Sequence, residues 1–114
     1  MTALLRISPE EATAALPDAA LRFATLFQRQ DLEVEIYAPL GSDPQQPHDR
    51  DELYIIISGT GRFRRGDQVV GFGPGDLLFV PAGIVHRFEE FSIGFATWVI
   101  FFGERVGQGE EGNG

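Results

Sequence analysis

The stretch "FGPGDLLFVPAGIVHRFEEF", residues 72–91, constrains the fold of this chain more than any other. Gly75 and Asp76 turn the backbone into an apolar strand, "LLFV". Pro81 then holds its φ near about −65° while Gly83 accepts a positive one, so the pair forces a tight reversal. His86 is thereby delivered at the start of the returning strand. Two strands joined by so short a reversal belong to antiparallel β structure.

The remainder of the chain repeats that style. "FATLFQ" precedes "LEVEIYAP", where Leu32, Val34 and Ile36 alternate with Glu33, Glu35 and Tyr37 at period two. "ELYIIIS", "GRFRR", "QVVGF", "DLLFVP", "HRFEEF" and "GFATWVIFFG" follow, and Gly66–Asp67 supplies a two-residue hairpin turn between the second and third of these. Eight short strands punctuated by 14 Gly and 7 Pro predict an all-β sandwich or barrel rather than an α/β fold. One short helix precedes them: Ser8 caps it, Pro9 takes its first position, Glu11 completes an S-x-x-E capping box, and Pro17 ends it. With 114 residues the chain is one domain, read as an N-terminal segment (1–21), a barrel (22–102) and a flexible tail (103–114) whose "GQGEEGNG" cannot bury anything. "LYIII" and "ATWVIFF" are apolar at consecutive positions. Both of their faces therefore need cover, either within a closed barrel or from a second chain, and Trp98 belongs to that core or interface.

Charge and missing residue types exclude several functions. Nine basic residues against 17 acidic ones give a net charge of −8, which disfavours nucleic acid and anionic membrane as partners. The one basic cluster, Arg62, Arg64 and Arg65, reads as a solvated strand face. Without cysteine there is no disulfide, thiolate metal site or Cys nucleophile. The opening "MTALLRISPEE" has no long apolar stretch, and a cytoplasmic location is the expectation. "RGD" at 65–67 is explained by a hairpin turn. The glycines of "GTGRFRRG" and "GFGPG" have no following helix to make a phosphate loop.

The chain has only two histidines, and "QQPHDRDELYIIISGTG" (45–61) sets one of them four residues before Glu52. The string Gly75-x5-Pro81-x-Gly83-x2-His86 resembles the second motif of the cupins, with Glu90 where that motif ends in Asn. Gly59, Glu52 and His48 match the first motif, Gln46 stands where it has another His, and Gly41 lies one residue closer than the pattern asks. The resemblance implies a jelly-roll β-barrel with a divalent transition metal held inside. Its ligands would be His48, Glu52 and His86, with Gln46 either a weaker fourth through its amide oxygen or only a hydrogen-bond partner of a bound water. Fe, Mn, Ni, Zn and Cu are all chemically admissible. Strand alternation adds that if Glu52 faces inward so do Tyr54 and Ile56, and if His86 does so does Phe88.

Two His and one carboxylate leave coordination positions open for water, dioxygen or substrate. The expected function is therefore a metal-dependent enzyme of dioxygenase or isomerase type acting on a small organic molecule. A small-molecule-binding module without turnover is the alternative, and a metal-free structural dimer would leave the His pair idle. No residue declares itself as catalytic acid or base; Tyr54 comes closest. A homodimer is expected from the two strands that are apolar on both faces.

Overall fold

The computed structural model describes residues 4–18 and 22–106. Helix α1 (Pro9–Ala14) leads into eight strands: β1 (Phe23–Arg29), β2 (Leu32–Tyr37), β3 (Asp51–Ser58), β4 (Gly61–Arg65), β5 (Gln68–Phe72), β6 (Leu77–Val80), β7 (His86–Glu89) and β8 (Ala96–Phe102). Five form one sheet in the order β1-β2-β8-β3-β6, and three form a second in the order β5-β4-β7. All pairings are antiparallel. This is the jelly-roll barrel that the strand spacing and the resemblance predict.

The core lies between the sheets. Tyr54, Ile56, Val99, Phe101 and Val80 from the large sheet meet Phe63, Phe72 and Phe88 from the small one, with Tyr37 and Phe95 completing the cluster. Its aromatic rings meet mostly edge-on or tilted, as their quadrupoles favour. The outer face of the large sheet is apolar as well. Ile36, Ala38 and Ala96 are buried there beneath Ala12 of α1, with Ile7, Leu16, Leu26, Ile57 and Trp98 packed around them. The N-terminal segment is thus a cover for the sheet, and Trp98 lies on that outer side.

Helix α1 forms as its sequence dictates. Ser8 Oγ accepts the Glu11 N–H at 3.1 Å and Glu11 Oε1 accepts the Ser8 N–H at 2.8 Å, the two halves of the capping box. The Gly66–Asp67 turn joins β4 to β5 with Arg65 opposite Gln68. Gly83 has φ 84° in the β6–β7 turn, which any side chain would strain. Gly59 is held for space as well as angle, since a Cβ there would come within 2.6 Å of the Phe95 Cα. The first residues of the expected tail are not loose: Val106 N–H donates to the Asp49 carbonyl at 2.7 Å and Arg105 pairs with Asp49 at 2.8 Å. Residues 107–114 lie outside the described residues.

Candidate metal centre

Glu52, Tyr54 and Ile56 occupy alternate positions of β3 and all three are buried on the inner face, as alternation requires. His86 and Phe88 do the same on β7. The loop between β2 and β3 carries His48, half-exposed, to the same point. One ligand atom from each of His48, Glu52 and His86 lies within 4.8 Å of the others, and the imidazole centroids are 5.4 Å apart. His86 Nε2 is 3.0 Å and His48 Nε2 3.8 Å from Glu52 Oε1.

The proton positions at His86 show what such a cluster can hold. Its Nδ1 lies 2.9 Å from the Ile84 carbonyl, which can only accept, so Nδ1 donates and Nε2 carries the lone pair. That lone pair faces Glu52 Oε1, and His86 Nε2 and both Glu52 oxygens are buried without a hydrogen-bond partner. Two electron-rich atoms this close need a cation between them, either a proton or a metal ion. A ligating histidine that donates its other N–H to a backbone carbonyl is the usual arrangement at metal sites. The donor set, two imidazoles and one carboxylate, therefore fits a divalent transition ion.

The surroundings tune the two rings in opposite directions. Burial disfavours the His86 imidazolium, but the adjacent Glu52 carboxylate outweighs it and holds the pKa above the ordinary value. Burial dominates at His48 and lowers its pKa, favouring the neutral, ligating form. Tyr54 is fully buried, and that burial, with Glu52 beside it, raises its phenol well above the usual range. Its hydroxyl donates to Gln45 Oε1 at 3.1 Å. Tyr54 is thus inside the site but fixed as a neutral donor.

Gln46, in register with the missing histidine, is exposed and lines the cavity beside His48. The amide that reaches the triad is its neighbour: Gln45 Oε1 lies 3.2 Å from His48 Nε2. An i, i+2 spacing brings side chains to one face only in an extended strand, and residues 43–48 precede β3 in an irregular loop with Pro44 and Pro47. Asp51, an ordinary edge charge by sequence, accepts the Ala82 N–H at 2.9 Å and braces the turn that delivers His86.

A cavity of about 410 Å³ opens beside His48. Its wall shows what the alternation in β2 was for: Glu33, Glu35 and Tyr37 face into the barrel, and Ile36 lies in the cluster on the outer face. Arg50 spans the wall, pairing with Glu33 at 2.7 Å and lying 5.1 Å over the Phe101 ring. Burial pushes the Glu33 pKa up, but the bond and charge of Arg50, together with hydrogen bonding to Glu35, bring it below the ordinary value. Glu35 has no such cation. Burial first, then the charge of Glu33, raise it to about 7. Sequence reasoning placed Glu33 and Glu35 on one face but had no means of choosing which face points inward. Arg50 and Asp43 carried no signal at all.

A small jelly-roll barrel with a His–Glu–His cluster facing its interior defines a class, and the comparisons with known proteins agree on it. The Cupin domain family matches residues 33–93. An uncharacterized protein of Streptomyces coelicolor is 31% identical over 98 residues, 84% of this chain and 91% of that one. The chain belongs to the cupin family, as a small protein of the cupin-2 type. A cupin 2 conserved barrel domain protein from Salinispora arenicola superposes with TM-score 0.64 at 19% identity, covering 90% of this chain and 91% of the other. Acireductone dioxygenase 1 of Coprinopsis cinerea is 38% identical over 47 residues, which is 36% of this chain and only 26% of that enzyme.

Proposed function

We propose that this cupin holds one divalent transition metal through His48, Glu52 and His86 and acts as a metal-dependent enzyme on a small organic substrate. The observation that carries the metal reading is the His86 lone pair set 3.0 Å from a buried, unpartnered Glu52 oxygen. Bound there, the ion would supply Lewis-acid or dioxygen chemistry. The chain's own residues supply the rest. The cavity beside His48 admits a small molecule, Phe101 and Val99 wall it with apolar surface, and Glu35 can hold or release a proton near neutral pH. The partial similarity to an acireductone dioxygenase supports an oxygenase-type reaction among the alternatives.

Fe(II), Mn(II), Ni(II), Zn(II) and Cu(II) all suit these donors. Elemental analysis after loading with each in turn should find one ion per chain, and His86→Ala should lose it while keeping a β-rich circular dichroism spectrum. An H86A protein that retains the ion sinks the assignment. A small-molecule-binding barrel without turnover is the second reading. It is supported by the pairing of Arg50 with Glu33 and of Arg105 with Asp49, which ties up both arginines of the cavity wall. A loaded protein that binds small acids or sugars but converts none of them under air would favour it.

We further propose that the chain pairs with a second copy through the outer face of the large sheet. Helix α1 covers only part of that face; Leu77 and Phe79 on β6 are 58% and 39% exposed. They stand opposite Ile55 and Leu53 of β3, giving one apolar strip. Light scattering should return twice 12.6 kDa, and Leu77→Lys with Phe79→Lys should yield the monomer.

A further inference from the structure

The structure assigns Gln45 as the fourth protein donor of this metal centre, aimed at it by Asp43. The inference rests on the metal-site reading above and concerns a residue that the motif register passes over.

Asp43 is buried, at 4% exposure, in the loop before β3. Its Oδ1 accepts the Tyr37 hydroxyl at 2.5 Å and the Gln45 N–H at 3.2 Å. Its Oδ2 accepts the Phe88 N–H and the Gln45 side-chain amide, both at 2.8 Å. A carboxylate has only acceptors to offer, so the Gln45 atom facing it must be the NH₂ group. The amide orientation is thereby decided, and Oε1 is turned the other way. There it meets two groups: the Tyr54 hydroxyl at 3.1 Å and His48 Nε2 at 3.2 Å.

Loading a metal changes one of those partners. His48 Nε2 serves Gln45 as a hydrogen-bond donor only while it carries a proton, and it can ligate only without one. Once the proton leaves, His48 Nε2 and Gln45 Oε1 present lone pairs to the same space. Gln45 cannot flip to offer its NH₂ without breaking the bond to Asp43 and aiming an N–H at the ion. It relieves the repulsion by sharing the cation. The spacing suits this: bonds to N and O donors run about 2.0–2.2 Å, so donors on adjacent corners lie about 3 Å apart. The second lone pair of Oε1 stays with Tyr54, so every polar atom of the group is satisfied. On a six-coordinate ion, four protein donors would leave two positions for an incoming ligand, where the triad alone would leave three.

Mn(II) titration followed by the electron paramagnetic resonance signal of the free ion, with a crystal structure of the Mn(II)-loaded protein, tests this. Gln45→Ala should weaken Mn(II) about tenfold or more, the usual consequence of losing a supporting ligand. Gln46→Ala should leave affinity within about twofold of the native chain, and the loaded crystal should show Gln45 Oε1 within about 2.0–2.3 Å of the ion. A crystal structure of Asp43→Asn should show the Gln45 amide no longer held in this orientation, and an unchanged orientation would overturn the aiming role of Asp43. An unchanged Gln45→Ala, a weakened Gln46→Ala, or an Oε1 more than 3 Å from the ion would each overturn the inference while leaving the triad intact. Failure of the native chain to bind Mn(II), with His86→Ala indistinguishable from it, would instead overturn the metal-site reading itself.

Discussion

Two carboxylates flank the same aromatic ring in this barrel. Glu33 on β2 and Glu52 on β3 both stand opposite Phe101 of β8, one strand away on either side and facing the same interior. Their circumstances differ completely. Glu33 is held by the Arg50 guanidinium at 2.7 Å, whereas both oxygens of Glu52 are buried without a hydrogen-bond donor. Burying an ionised group without compensation is costly, and among the described residues the only cation within reach of Glu52 is a proton on His86 or His48, or the proposed metal ion. One carboxylate is finished by the chain; the other is the one the proposed ion would finish.

That contrast makes opposite demands on a conservative substitution. The largest effect should come from metal affinity: Glu52→Gln should weaken a divalent ion by about 100-fold or more, because a charged ligand is replaced by a neutral one. Glu33→Gln should leave the same affinity nearly intact, which calorimetric titration would check. Stability without metal should then move in opposite directions. Glu33→Gln leaves Arg50 buried and unpaired and should cost about 3 kcal/mol. Above the raised His86 pKa, where the ring no longer carries a proton toward Glu52, Glu52→Gln relieves an unsatisfied charge and should add about 1–2 kcal/mol in urea unfolding of the metal-free protein. Two changes of the same sign would break the comparison.

Glu35 sharpens it further, because it shares the wall with Glu33 but lacks a cation. Its pKa is raised from 4.5 to about 7, so between those values the folded chain keeps a proton that the unfolded chain has released. The stability this confers is fully present at low pH and is lost as pH rises through that window. Thermal unfolding should therefore show native stability falling between about pH 4.5 and 7 relative to Glu35→Gln. The difference is about 1–2 kcal/mol once partial solvent exposure is discounted. A smaller effect is expected at Glu90, whose φ of 51° occupies the left-handed region. Glu90→Asn should stabilise by about 0.5–1 kcal/mol, since Asn adopts that conformation more readily.

The elements most legible in the sequence are those where local chemistry decides the outcome. Gly83 and Pro81 announce their turn because few residues fit it, and the Ser8–Glu11 capping box needs only its own four residues. Glu52 and His86 were readable because a strand alternates strictly. Gln45 was not, because alternation ends where the strand does, and the Asp43 bonds that aim it reach Phe88, 45 residues away. The inward turn of Glu33 and Glu35 was hidden for another reason. Periodicity separates two faces without naming the buried one, and here the charged face is the interior.

The backbone N–H of Gly83 donates to the carbonyl of His48 at 2.8 Å. The reversal that presents one histidine is therefore fastened to the main chain of the other, and the gap between the two rings does not depend on the chain that joins them. The β4–β5 hairpin inside that connection has an outer strand, β5, paired on one side only. Residues inserted at its Gly66–Asp67 tip would lengthen the connection without stretching the gap, so related chains are free to vary this hairpin in length while keeping the same centre.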